Sequence, residues 1–162
     1  MKKTVVLLLF IFSVIPLFTQ ELSVLEKRII MAGPEEMLLL VMDRSMEKDL
    51  HSIISRYEEI DDIAEELFTT FKTTYPGTAE EEYEIMLLKL FLVSALGSAD
   101  WDNVSDCMGM LEFLSIAEAL SEMMDPTEET EAYMNSKYWK DCIAFAKLFD
   151  SDSYIKERFG KD

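Results

Sequence analysis

The sequence predicts an all-α protein of five to six helices, arranged as a bundle or as a short array of helical hairpins. Apolar residues recur every three or four positions along most of the chain, as they do on the buried face of a helix. The glycines and prolines fall mainly between these periodic segments, where helices end. We find no convincing run of alternating apolar and polar residues, which is the pattern of a half-buried strand.

The N-terminus has the pattern of an export signal. Met1-Lys2-Lys3 supplies the positive start, and an apolar run follows from Thr4 to Phe18. This run is shorter than the ~20 residues that a membrane-spanning helix needs. We therefore predict a bacterial signal peptide at residues 1–19, cleaved near Thr19–Gln20, and a single domain at residues 20–162. The alternative is an uncleaved segment, residues 4–18, that anchors the protein in the inner membrane.

The chain is strongly acidic, with 32 Asp and Glu residues against 15 Lys and Arg residues and a formal net charge of −17. Removal of the predicted leader takes away Lys2 and Lys3 and makes the mature protein more acidic still. The sequence offers no basic patch to neutralise phosphates, so we expect neither nucleic acid nor an anionic membrane surface as a partner. The charge favours a basic or amphipathic protein or peptide, or cations.

Two helix starts and one break are predicted in the first half of the chain. Ser23 and Glu26 have the spacing of a capping box, and Gly33-Pro34 ends the helix that they begin. Residues 34–75 contain no glycine and, after Pro34, no proline, so they form one helix or two. We favour a break near Asp43–Ser45 over one at residues 61–62, because the preceding residues are apolar on all sides.

The most apolar segment predicts the central buried helix. Thr78 and Glu81 have capping-box spacing, and the run Ile85–Leu96 that follows contains a single charged residue, Lys89. This run is too short to cross a bilayer. Gly97 is the expected end of the helix.

Two further helices are predicted after this segment. The first has five apolar residues on one face: Leu111, Leu114, Ala117, Leu120 and Met124. Four polar residues fall on the opposite side: Glu112, Ser115, Glu118 and Glu122. Residues 125–128 begin a second helix that buries Tyr138, Cys142, Phe145 and Phe149, and Tyr154–Phe159 form a last turn.

One short pattern occurs twice in this part of the chain. Val104–Met110 aligns with Trp139–Phe145 at an offset of 35 residues, and the alignment superposes Cys107 and Cys142, each preceded by an aspartate. With the small Ala117, residues 98–150 resemble tetratricopeptide-type helical repeats. The resemblance implies a scaffold that binds peptides or proteins, without catalysis. The glycine and tyrosine expected in the first helix of such repeats are absent here.

The two cysteines predict a pair of buried groups on neighbouring helices. In an oxidising compartment Cys107 and Cys142 can form one intramolecular bridge, and we expect two free thiols instead, because equivalent positions on stacked hairpins can be too far apart.

The sequence predicts no catalytic site, metal site or cofactor. His51 is the only histidine, and no recognisable motif links it to a serine or cysteine nucleophile. The acidic runs lack the glycine and distal glutamate of a calcium-binding loop. Four methionines raise a Cu(I) hypothesis, although methionines at helical spacing usually fill cores: Met108, Met110, Met123 and Met124. A periplasmic enzyme and a protein that binds Ca²⁺ or copper remain the alternatives.

The predicted function is therefore that of an exported, non-catalytic interaction or scaffold protein of the bacterial cell envelope. Exposed acidic faces on helical hairpins are suited to basic or amphipathic partners. The predicted binding residues combine one aromatic side chain with acidic ones: Trp101, Asp102, Asp106, Glu112, Glu118 and Glu122.

Overall fold

The computed structural model describes residues 21–59, 62–123 and 127–160, and within these ranges the chain is all-helical, with nine α-helices and one short 3₁₀ turn. The predicted leader lies outside the described residues. The helices are α1 (Val24–Met31), α2 (Pro34–Met42), α3 (Glu47–Glu58), α4 (Ile63–Thr74), α5 (Glu80–Ser98), α6 (Trp101–Met123), α7 (Glu128–Asn135), α8 (Lys137–Leu148) and α9 (Ser151–Phe159).

Helix α5 is the centre of the core, as the sequence predicts. It contacts seven of the other helices, α1 to α4 and α6 to α8. Its residues from Leu92 to Ser98 are all buried, so this part of the helix is covered on every side. A helix that is apolar all round is stable only in such a position.

The prediction of five to six helices is too low, because the chain turns more often than its glycines and prolines indicate. The break predicted near Asp43–Ser45 is confirmed: α2 ends at Met42, and the Asp43 carboxylate accepts a hydrogen bond from the Ser45 amide at 2.9 Å. Hydrogen bonds from the Ser45 hydroxyl, at 2.7 Å, and from this amide lower the pKa of Asp43. A second interruption follows α3, where Asp62 caps the start of α4.

Two more breaks lie in the C-terminal part. The single helix predicted from residue 128 to Phe149 is divided at Ser136 into α7 and α8. The last helix starts at Ser151, earlier than predicted, because the Asp150 carboxylate accepts a hydrogen bond from the Ser153 amide at 3.1 Å. The Asp150 side chain thus caps a backbone group that would otherwise lack a partner, whereas the Ser136 side chain makes no capping hydrogen bond at the start of α8.

The predicted ends of α5 are wrong at both termini. Ala79 precedes the helix, so no side chain caps its start, and the helix continues to Ser98 before Ala99 adopts a left-handed conformation (φ 57°). Gly97 therefore lies inside α5. A Cβ atom at this position would lie 2.2 Å from Leu50 Cδ1, so the glycine lets α3 pack closely against α5.

The capping box of α1 is confirmed, and one of its members also anchors the core. Glu26 is fully buried and accepts hydrogen bonds from the Ser23 amide at 2.8 Å and from the Tyr57 hydroxyl at 2.9 Å. The Arg56 guanidinium is paired with the same carboxylate. Burial raises the pKa of Tyr57, so the hydroxyl remains a donor. These contacts fasten α1 to α3.

A buried lysine joins three helices at the centre of the molecule. Lys89 is fully buried, and its Nζ donates to the Ala32 carbonyl at 2.6 Å and to Asp141 Oδ2 at 3.3 Å. The ammonium also lies 5.5 Å from the centre of the Tyr138 ring. Burial lowers the pKa of Lys89, and the Asp141 charge opposes this effect. The interaction connects the end of α1 with α5 and α8.

We predict that Asp141→Asn destabilises the protein by about 3 kcal/mol, because it leaves a buried ammonium without its counter-ion. The same change in a Lys89→Met background should cost about 1 kcal/mol or less, since no buried charge then needs compensation. Urea unfolding of the four proteins measures both costs. Equal costs in the two backgrounds would show that the pair is not coupled.

The pH dependence provides a second measurement on the Asp141→Asn variant. Burial lowers the pKa of Lys89 below its ordinary 10.5, so the unfolded chain binds more protons between the two pKa values. The cost of burying the charge therefore disappears as the pH rises through that window. Without the Asp141 charge, the pKa of Lys89 in the folded protein falls further, and the pH range between the folded and unfolded pKa values extends to lower pH. The free energy of unfolding of the variant should therefore rise more than that of the wild type as the pH approaches 10.5.

The two cysteines are free and buried on neighbouring helices, as predicted. Cys107 lies in α6 and Cys142 in α8, and these helices pack against each other. Burial raises the pKa of each thiol to about 12. Both groups therefore stay protonated at neutral pH, and the thiolate that reacts with oxidants and electrophiles is scarce.

We predict that neither thiol reacts with an aromatic disulfide reagent in the folded protein at about pH 8, and that both react after denaturation without reductant. Absorbance of the released thiolate counts the reactive groups. Rapid reaction of the folded protein would contradict the burial, and a denatured protein without reactive thiols would reveal a bridge.

Candidate protein-binding surface

Helix α6 has apolar residues on two different faces. The face that packs against the core consists of Val104, Cys107, Leu111 and Leu114. A second set of apolar side chains is exposed and forms what we call the α6 stripe: Met110, Phe113, Ile116, Leu120 and Met123. Phe113 is 63 % exposed and Met123 is 82 % exposed, so no other described part of the chain covers this stripe.

An apolar groove adjoins the stripe. Four helices, α3 to α6, line a depression of about 440 Å³ with mostly apolar side chains: Ile54, Tyr57, Ile63, Leu87, Leu88, Phe91 and Met110. Met110 belongs to both the groove and the α6 stripe, so the two form one continuous apolar surface. A groove of this volume can receive several large apolar side chains.

The polar groups at this groove are acidic or neutral. Glu58 and Glu84 line it together with Asn103, whose amide donates to the Glu58 carboxylate at 3.2 Å. Glu84 accepts a hydrogen bond from the Tyr133 hydroxyl. Among the described residues that line the groove, none is basic. The groove therefore combines an apolar floor with negative charge at its edges.

Three of the predicted binding residues lie at the start of α6. Asp102 and Asp106 are exposed and precede Met110 at intervals of four residues, so they continue the line of the α6 stripe. Trp101 is 39 % exposed, and its ring packs edge-on against Phe159 of the last helix at a centroid distance of 4.8 Å. Phe159 therefore covers part of the Trp101 side chain, and another part is open to solvent.

The three glutamates predicted to share one face are separated. Glu118 pairs with Lys147 at 2.6 Å, and with Glu122 it lines a cleft of about 310 Å³ between α6 and α8. Glu112 is exposed and does not line this cleft. Residues at i and i+6 do not share a helix face, which explains the separation. Met124, predicted to be on the apolar face, lies outside the described residues.

His51 is one of the residues that line a second groove, of about 930 Å³. Its Nε2 lies 3.3 Å from Ser55 Oγ, one turn along the same exposed helix surface. Two arginines that line this groove are already paired, Arg28 with Glu36 and Arg56 with the buried Glu26. A serine nucleophile needs a base that a third group orients and a site that excludes water. The exposed pair meets neither condition.

No group of three or more His, Cys, Asp or Glu residues within the described ranges is arranged to hold a metal ion. None of the helices described has the length and hydropathy that a membrane span requires.

The apolar groove could not be found from the sequence, because it is built from four helices whose contributing residues are far apart in the chain. The α6 stripe does have a sequence signal. Leu120 is predicted to share the apolar face of Leu111 and Leu114, but it is exposed, and Phe113, seven residues before it, lies on the same side of the helix. The apolar residues of α6 therefore cover a wider arc than one buried face needs.

Comparison with models of protein families, with curated proteins and with solved structures found no match. The resemblance of residues 98–150 to tetratricopeptide-type repeats therefore stays a prediction.

Proposed function

We propose that this is an exported, non-catalytic helical protein of the bacterial cell envelope that binds another protein. The α6 stripe is the observation that carries the proposal. Contiguous exposed apolar patches are rare on monomeric proteins, and they mark interaction sites. Phe113 and Leu120 are large apolar side chains, and their burial by a partner would contribute favourable free energy to binding.

The expected partner is basic or amphipathic. The chain has a net charge of −17, and Asp102 and Asp106 extend the line of the α6 stripe. A partner with Lys or Arg beside an apolar surface complements both features, whereas nucleic acid and anionic lipid repel this chain.

We also propose that the helices form a bundle around α5. A helix that contacts seven others supports this arrangement, because each unit of a hairpin array contacts only its neighbours.

The first test of the binding function replaces two stripe residues, Phe113→Ser and Leu120→Ser, in the same molecule. Affinity for the partner purified from the native envelope should fall roughly tenfold or more, because two apolar anchors are lost. The thermal midpoint should change little, since both side chains are exposed in the free protein. Isothermal titration calorimetry measures the affinity.

The matched control replaces exposed apolar residues away from α6, Val24→Ser and Leu39→Ser, which are 86 % and 69 % exposed. This control should bind as tightly as the wild type. If both double variants kept wild-type affinity, the α6 stripe would not be a binding surface.

Export is the second testable part of the proposal. The positive start and the apolar run of residues 4–18 support removal of a leader near Thr19–Gln20. We predict that the protein isolated from the envelope has the mass of residues 20–162. Intact-mass spectrometry decides this, and a mass that includes residues 1–19 would support the anchored alternative.

A further inference from the structure

We propose that the apolar groove binds one amphipathic, cationic α-helix of a partner protein. The helix would insert its apolar side chains between α3, α4 and α6 and place Lys or Arg side chains beside Glu58 and Glu84. This inference rests on the proposed function and specifies the part of the partner that is recognised.

The arrangement of the helices supports a helical occupant. Helix α5 supplies Leu87, Leu88 and Phe91 to the groove, while α3 and α4 contribute on one side and α6 on the other. Side chains at i, i+3, i+4 and i+7 of a bound helix form a row that fits such a groove. Met110 is an adaptable side chain at the point where the groove meets the α6 stripe.

The charges at the groove favour a partner that is positively charged. The groove is lined by two carboxylates and, among the described residues, by no basic group. Glu58 accepts a hydrogen bond from Asn103, and Glu84 accepts one from Tyr133. Both donors are neutral, so neither of them compensates the negative charge of the carboxylate. Lys or Arg side chains on an incoming helix would neutralise them in partly desolvated surroundings, where such pairs favour one partner over another.

The same charges argue against a second copy of this chain as the occupant. In a dimer through this surface, the α6 stripe of one molecule would bring its own Asp106 and Glu112 toward the carboxylates of the other. Each molecule carries a formal net charge of −17, so association would be opposed at long range as well.

The experiment uses the protein purified from its native envelope and a fluorescent peptide of about 18 residues, about five helical turns, with Leu and Lys at amphipathic spacing. Two further peptides are controls: one with the same composition in scrambled order, and one in which Glu replaces Lys. Fluorescence anisotropy gives affinities at about 25 mM and about 300 mM sodium chloride, which differ several-fold in screening length. The amphipathic Lys peptide should bind, the controls should bind roughly tenfold or more weakly, and high salt should weaken binding.

Two sets of variants locate the site. Glu58→Gln with Glu84→Gln removes the charges but keeps both hydrogen-bond acceptors, and Ile63→Ser with Met110→Ser reduces the apolar lining. Each pair should weaken binding roughly tenfold, and the charge pair should also reduce the salt dependence. Glu35→Gln with Glu157→Gln, two exposed acids elsewhere, should leave binding unchanged. Thermal melting confirms that every variant is folded.

Five outcomes would overturn the inference. The Lys peptide could fail to bind, or it could bind no more tightly than its scrambled control, which would indicate counter-charge binding only. If the groove variants bind normally while Phe113→Ser with Leu120→Ser does not, the proposed function stays intact and the site moves to the stripe. If sedimentation shows a dimer that Met110→Ser dissociates, a second copy is the occupant. If the leader is retained and its removal opens the groove, residues 4–18 are the occupant.

Discussion

The fold depends on an ammonium group buried in its most apolar helix. Lys89 is buried away from water, so its ammonium needs hydrogen-bond partners within the protein. Asp141 and the Ala32 carbonyl lie within reach of Nζ and supply them. Those two groups come from α8 and from the end of α1, and the requirement therefore fixes both elements relative to α5. Apolar packing alone tolerates small shifts of one helix along another, whereas a buried charge tolerates few positions for its partner.

The central position of α5 explains why an apolar surface of α6 stays exposed. Seven of the described helices contact α5, and α6 is one of them, packed through Val104, Cys107, Leu111 and Leu114. Helix α8 covers part of α6 through the cleft that Glu118 and Glu122 line. The side that bears Phe113 and Leu120 meets neither helix. This 23-residue helix has apolar residues on two faces. One face packs against the core, and the other is exposed to solvent.

Local signals in the sequence were sufficient for the fold class and for several boundaries, but they did not reveal long-range pairing. The capping box at Ser23 was readable because both of its members lie within one turn. The role of Lys89 was not, because Ala32 and Asp141 are distant in sequence, and a lysine in an apolar run carries no sign of its partners. Gly97 was interpreted as a helix end, since close packing against Leu50 leaves no local pattern.

The acidic charge and the exposed apolar stripe have to be considered together. An apolar surface such as the α6 stripe would promote self-association in a protein of low net charge, because burial of Phe113 and Leu120 against another copy releases free energy. A charge of −17 opposes that contact between identical molecules and favours it with a basic one. If the proposed function is right, the same carboxylates would oppose contact between copies and favour a basic partner. Asp102, Asp106 and Glu84 lie beside the apolar surface that the proposed partner would cover, so one distribution of charge would produce both effects.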